Sequence, residues 1–143
     1  MVRFYILYPD DLALTPGHGH RINLNNQSVV VKIVYGTTSV LLAGDAEEDV
    51  ERQLIRRYGG FLESDVLKAG HHGSSTSSSM EFLEEVRPRF ALVSVGFQNK
   101  FQHPSPEVLC RYTEMGSRYF RTDEGGAVVL QSDGTRWEVV GWR

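Results

Sequence analysis

Three times along this chain a short apolar run with β character gives way to a residue that can bind a metal or a proton, and a helix follows. The run Ser39-Val40-Leu41-Leu42-Ala43-Gly44 ends at Asp45. The run Asp65-Val66-Leu67-Lys68-Ala69-Gly70 ends at His71-His72-Gly73-Ser74. The run from Phe90 to Val95 leads into Asn99-Lys100-Phe101-Gln102-His103-Pro104. Strands alternating with helices restrict the chain to an α/β domain with a sandwich-like layering. The same alternation puts a carboxylate and several imidazoles on loops beyond strand ends. Strands fix such side chains in place and loops leave them open to substrate, as a metal-dependent hydrolase requires.

Local signals set the remaining elements. Phe4 to Tyr8 reads as a strand ended by Pro9, and residues 9 to 27 read as a long irregular segment. Residues 28 to 35 and 38 to 44 form a hairpin turned at Gly36-Thr37. Ala46, Val50, Leu54 and Tyr58 recur at helical spacing, Glu48 precedes Arg52 by one turn, and Gly59-Gly60 stops the helix. Ser78, with Glu81 three residues on, predicts a capping box for a second helix that buries Phe82, Leu83 and Val86 and ends at Pro88. The run from Phe90 to Val95 predicts a strand buried on both faces. Ser105-Pro106 opens a third helix, on whose apolar face Cys110 predicts a buried structural thiol. Tyr119 to Arg121 is a short strand, and residues 127 to 131 and 137 to 140 form a last hairpin around Asp133-Gly134. The serines from Ser74 to Ser79 are a loop within one domain.

Composition excludes some functions. At 143 residues the chain fits a single domain. No apolar run approaches the ~20 residues of a membrane span, and the N-terminus is a poor signal peptide. One cysteine rules out an internal disulfide. A net charge of −3 with no basic cluster argues against nucleic-acid binding through a broad positive surface. It leaves a phosphodiester substrate open, because bound metal ions supply positive charge locally.

Each chemical residue also has an ordinary reading. Asp45 precedes a helix with Glu48 three residues on, so it can be an N-cap as well as a metal-facing carboxylate. His71 and His72 have no evident packing role, and successive residues leave a strand end in different directions. One of them then coordinates metal while the other supports it or meets substrate. His103 can be a plain loop histidine, but it too lies beyond a strand end. Gly17-His18-Gly19-His20 has the spacing of two imidazoles on one metal, yet Arg21-Ile22-Asn23 adds no further ligand, so His18 and His20 read as exposed loop residues. Asn25-Asn26-Gln27-Ser28 fits turn chemistry at the start of a strand.

Taken in order, several segments resemble the metallo-β-lactamase-type domain of ComEC competence proteins. They are Asn25-Asn26-Gln27-Ser28-Val29-Val30, Leu41-Leu42-Ala43-Gly44-Asp45-Ala46-Glu47, Asp65 to Ser74 with Thr76-Ser77-Ser78, Val93-Ser94-Val95-Gly96, His103-Pro104-Ser105-Pro106-Glu107 and Arg121-Thr122-Asp123. The wider superfamily carries a His-x-His-x-Asp-His motif upstream of these segments, and this sequence lacks it. The resemblance therefore implies the C-terminal half of an αββα sandwich, a mixed sheet with helices on one face, over residues 1 to 143. It implies Asp45 as a metal-bridging carboxylate, and Asp45 with His72 as the catalytic pair. It implies His71, His72 and His103 as further ligands, and Asn26 and Ser74 as substrate-side groups. Two divalent ions, Zn²⁺ or Mn²⁺, would serve the intact domain. The implied activity is a nuclease degrading the DNA strand that is not imported, in a bacterial inner-membrane protein with this domain on its outer face. The implied partners are single-stranded DNA, a membrane channel and the upstream half of the domain. On this reading the chain alone is inactive and self-associates through its uncovered sheet. A free-standing hydrolase of the same fold and a non-catalytic binding half-domain remain alternatives.

Overall fold

The computed structural model describes residues 1–9 and 24–141, so His18 and His20 lie outside the described residues. A sheet of six strands runs in chain order: β1 (Val2–Tyr8), β2 (Val30–Tyr35), β3 (Thr38–Leu42), β4 (Val66–Lys68), β5 (Phe90–Val93) and β6 (Arg118–Arg121). The first three strands are antiparallel neighbours; β3 to β6 are parallel. Parallel neighbours need crossovers, and three helices supply them: α1 (Glu48–Tyr58), α2 (Met80–Val86) and α3 (Pro106–Glu114). A single turn, α4 (Thr122–Gly125), follows β6. The hairpin β7 (Val128–Ser132) and β8 (Trp137–Gly141) forms a separate small sheet. It docks on the β2–β3 turn, where Thr37 N–H donates to the Gly134 carbonyl at 2.7 Å, and at the start of β4, where Trp137 Nε1 donates to Asp65 at 3.3 Å.

The strand register sorts side chains onto two faces. Leu41, Leu67 and Ala91 are mutual neighbours across β3, β4 and β5 and are fully buried. They pack with Val50 and Leu54 of α1, Phe82, Leu83 and Val86 of α2, and Val108 and Tyr112 of α3 in one core. All three helices therefore cover the same face of the mixed sheet, as the sequence implies. The opposite face carries Phe4, Ile6, Val31, Ile33, Val40 and Leu42, from half-buried to well exposed, while Val66, the neighbour of Val40 on β4, is buried.

The structure corrects several local expectations. The β5 strand is not buried on both faces: Ala91 and Val93 are buried while Phe90 and Leu92 are only partly so. The cap of α2 is Ser79, whose hydroxyl accepts from Phe82 N–H, rather than Ser78. Ser78 instead takes a left-handed backbone (φ 53°) and bonds through its hydroxyl to the buried Tyr112. The N-terminal amides here are claimed by Glu51, a buried carboxylate on α1 that accepts from Ser78 N–H at 2.5 Å and Ser79 N–H at 2.9 Å. Cys110 is exposed, because α3 buries the stripe of Val108 and Tyr112 and turns Cys110 aside.

Candidate functional site

Asp45 stands just beyond β3 on a tight backbone. Gly44 before it has φ +58°, and a Cβ there would come within 2.7 Å of Ser28 Cβ. Ser28 Oγ accepts the Asp45 N–H at 2.9 Å. Asp45 is not the cap of α1, since Glu47 occupies that position without a side-chain cap bond. Its carboxylate is thus free of the capping role the sequence allows. The side chain is 40% exposed, with Oδ1 3.5 Å from His72 Nε2 and 3.9 Å from Lys68 Nζ. Lys68 donates to the Gly44 carbonyl at 2.7 Å, which ties β4 to the Asp45 loop. Burial pushes the Lys68 ammonium pKa down from its ordinary value, and Asp45 partly offsets this.

The two histidines sit on a strained turn. His71 (φ 41°) and His72 (φ 56°) are both left-handed. Non-glycine residues in this region cost about 1–3 kcal/mol each, so surrounding bonds must over-determine the turn. They do. His71 N–H donates to the Gly44 carbonyl, Ser74 N–H to the His71 carbonyl, Ser105 N–H to the Gly73 carbonyl, and Ser77 Oγ to the Gly70 carbonyl. Gly73 (φ +79°) is required by close approach as well, because a Cβ there would lie 2.7 Å from Pro104 Cβ.

Fixing this turn gives the rings different surroundings. His72 Nδ1 lies 2.6 Å from the Ser94 carbonyl, which can only accept, so Nδ1 carries the proton. In that tautomer the neutral form of the ring aims the Nε2 lone pair at Asp45. Two electron-pair donors facing each other at 3.5 Å are disposed to share a cation, and a carbonyl holding the far nitrogen is the usual support for a ligating imidazole. His71 turns the other way. Its Nδ1 lies 3.0 Å from Glu47 Oε1 but has no aligned hydrogen bond, although it is buried. Asn25 Nδ2 donates to the same carboxylate at 2.9 Å and lies 3.5 Å from His71 Nε2.

His103 joins this group from the third loop. Its ring centroid is 5.5 Å from that of His71. Asn99 clamps its backbone, donating to the His103 carbonyl at 2.7 Å and accepting from its N–H at 3.0 Å. Burial and the neighbouring His71 and His72 push its pKa below the ordinary histidine value. Asn26 Oδ1 accepts the Glu47 N–H at 3.0 Å, and the buried Ser74 hydroxyl faces Thr76 Oγ1 at 3.0 Å, so both side chains are engaged in shaping their loops. Among the described residues, no three His, Cys, Asp or Glu side chains converge closely enough to hold a metal ion. Asp45 and His72 offer two of the donors such an ion needs, and the chemistry of that pair fits Zn²⁺ or Mn²⁺. Sequence reasoning missed Glu47 and Lys68. Glu47 looks like an ordinary first-turn acid, and Lys68 like the polar end of a strand.

No protein-family model matches the chain. It is 41% identical to competence protein ComA of Neisseria gonorrhoeae over 80% of its length. It is 33% identical to ComE operon protein 3 of Bacillus subtilis over 89%, and 34% identical to recombination protein 2 of Haemophilus influenzae over 96%. The chain is a homologue of bacterial competence proteins. It covers 17%, 15% and 16% of these three relatives, so it corresponds to one segment of much longer proteins. Among the described residues no helix is long and apolar enough to cross a membrane.

Proposed function

We propose that this chain is the C-terminal part of a metallo-β-lactamase-type nuclease domain in a ComEC-like DNA-uptake protein, where the complete domain degrades the strand that is not imported. The observation that carries this reading is the facing pair of Asp45 Oδ1 and His72 Nε2 at the carboxyl ends of β3 and β4, with His72 braced from behind by the Ser94 carbonyl. The similarity to competence proteins over most of the chain supports it. So does the apolar sheet face opposite the helices, which the upstream half of a sandwich would cover.

In this reading Asp45 and His72 hold metal, with His103 at the edge of the same centre. Zn²⁺ or Mn²⁺ ions bound there would activate water and stabilise the leaving oxygen of a phosphodiester. The chain's own residues do the rest. Ser94 fixes the His72 tautomer, and Glu47 and Asn25 flank the His71 ring. Lys68 places a positive charge beside Asp45, where phosphate oxygens would approach. The upstream half supplies the remaining ligands, so the chain alone has no phosphodiesterase activity. A chain extended upstream through the missing histidine motif cleaves DNA in Mn²⁺ or Zn²⁺, and Asp45→Ala abolishes that cleavage. DNA degradation by the 143-residue chain alone would overturn this division of ligands. An extended chain that binds metal but never cleaves DNA would favour a hydrolase with another substrate.

A further inference from the structure

The loop from Ser94 to His103 displays two aromatic rings to solvent beside the histidine cluster. Phe97 is 77% exposed and Phe101 66% exposed. Singly exposed rings are ordinary; the arrangement of these beside the histidines is what calls for an account. Phe101 lies nearly parallel to the His103 ring (18° between planes, centroids 5.9 Å apart), and His103 in turn lies 5.5 Å from His71. A line of rings thus runs from the candidate site out to the loop tip. The Lys100 ammonium lies over the Phe101 ring, 5.0 Å from its centroid.

The loop is held without help from those rings. Asn99 bonds through its side chain to the Gly96 carbonyl at 3.3 Å and to both backbone polar groups of His103. Gln98 (φ 50°) and Gln102 (φ 57°) take left-handed conformations on either side. At the loop's start the Ser94 carbonyl is fixed to His72. The loop is closed by polar bonds and leaves Phe97 and much of Phe101 exposed, with Phe101 touched by the His103 ring and the Lys100 ammonium.

We propose that this loop is a stacking platform for single-stranded DNA, with Phe101 and Phe97 each taking a base. The inference rests on the nuclease reading given above and names a part of its substrate contact. The chain carries a net charge of −3 and no basic cluster, so a broad positive surface does not hold DNA near the site. Stacking on aromatic faces supplies attraction that does not depend on net charge or on base identity. That suits degradation of a strand of arbitrary sequence. Lys100, on a flexible stem, yields the Phe101 face to a base and moves its ammonium to the adjoining phosphate. Because Phe101 leans on His103, the stacked base brings its phosphate next to the histidine cluster. An apolar patch meant for a protein partner has no need of this alignment of rings.

The test uses the 143-residue chain and a single-stranded oligonucleotide bearing 5-iododeoxyuridine. Irradiation is expected to crosslink it to Phe97 and Phe101, read by peptide mass mapping. Fluorescence anisotropy with a labelled single strand is expected to show binding weakened about 5- to 150-fold by Phe101→Ala. Phe101→Tyr restores the affinity and Phe101→Leu does not. No binding by the wild-type chain, no crosslink to either ring, or equal rescue by Leu would each overturn the platform; rescue by Leu would mark the rings as packing surface for a protein. In the upstream-extended chain, Phe101→Ala raises KM for DNA more than it lowers kcat. Cleavage with KM unchanged would sink the platform and leave the nuclease intact. Binding through Phe101 without any cleavage would do the reverse.

Discussion

The two faces of the six-stranded sheet have similar apolar content and opposite fates. On one face Leu41, Leu67 and Ala91 disappear beneath α1, α2 and α3. On the other, Phe4 is 67% exposed and Ile6 62%, with Val31, Ile33 and Val40 half-covered beside them. A strand alternates its side chains between faces, so apolar residues at successive positions, as at Val30-Val31, Ile33-Val34 and Val40-Leu41-Leu42, put apolar surface on both. The helical face is a finished core. On the proposed reading the open face is half of a second one; Asp45, His71, His72 and His103 lie beyond the ends of β3, β4 and β5.

Truncations should separate the faces most sharply. Leu67→Ala removes a fully buried side chain from the finished core and should cost about 2–5 kcal/mol. Ile6→Ala removes a similar side chain that is mostly in water and should cost less than about 1 kcal/mol. Urea denaturation of the two variants checks this. Equal losses would mean that the open face is covered in solution.

Next in size is the buried polar link that holds the turn before α2 against α1. Glu51→Gln leaves one acceptor oxygen where the Ser78 and Ser79 amides each have one, and should cost about 1–3 kcal/mol. The loss should depend on pH. Burial raises the Glu51 carboxyl above its ordinary value of 4.5, against the pull of the two amides. A raised folded-state value means that the fold favours the protonated acid. That contribution is full below the unfolded value and is lost as pH rises through the folded one. The stability difference between wild type and Glu51→Gln should therefore shrink as pH rises out of the acid range. Thermal melts from pH 4 upward read it, and a difference that grows with pH would contradict the assignment.

The open face should make itself felt through association more than through folding. We expect the chain to self-associate in a concentration-dependent way, and Phe4→Lys with Ile6→Lys to reduce this without lowering the melting temperature by more than a few degrees. Sedimentation velocity checks it. A wild-type chain that stays monomeric at high concentration would show that the face needs no cover.

Much of this was legible in the sequence, and the misreadings have physical causes. The four-residue spacing of Val50, Leu54 and Tyr58 gives α1, and the apolar runs give β3, β4 and β5, because periodicity records burial directly. The caps slipped. Asp45 and Ser78 satisfy the capping pattern in sequence, but Gly44 and Ser78 turn left-handed, and helix entry moves to Glu47 and Ser79. Cys110 misled because a short helix offers too few turns to separate its stripe from its flank. At the site, strand ends foretold that His71, His72 and His103 would meet. Which neighbours each ring faces was hidden, since it depends on two consecutive left-handed residues that send His72 to Ser94 and Asp45 and His71 to Glu47.

The smallest expected effect on stability falls where the two faces end. Asp45 and His72 are 40% and 46% exposed, and neither anchors a helix or fills the core. Asp45→Ala and His72→Ala should each change unfolding free energy by no more than about 0.5 kcal/mol. Their effect on metal should be complete. The wild-type chain should bind Mn²⁺ or Zn²⁺ weakly and below one equivalent, because Asp45 and His72 offer only two of the donors such an ion needs, and either substitution should abolish that binding in calorimetric titration. Replacing His18 and His20 together should leave it nearly unchanged. Should the His18/His20 variant lose the metal while Asp45→Ala keeps it, the facing pair is not the site. Residues so exposed and so close, with little bearing on folding, are then held in place for a ligand, by the same bonds that keep the His71–His72 turn strained.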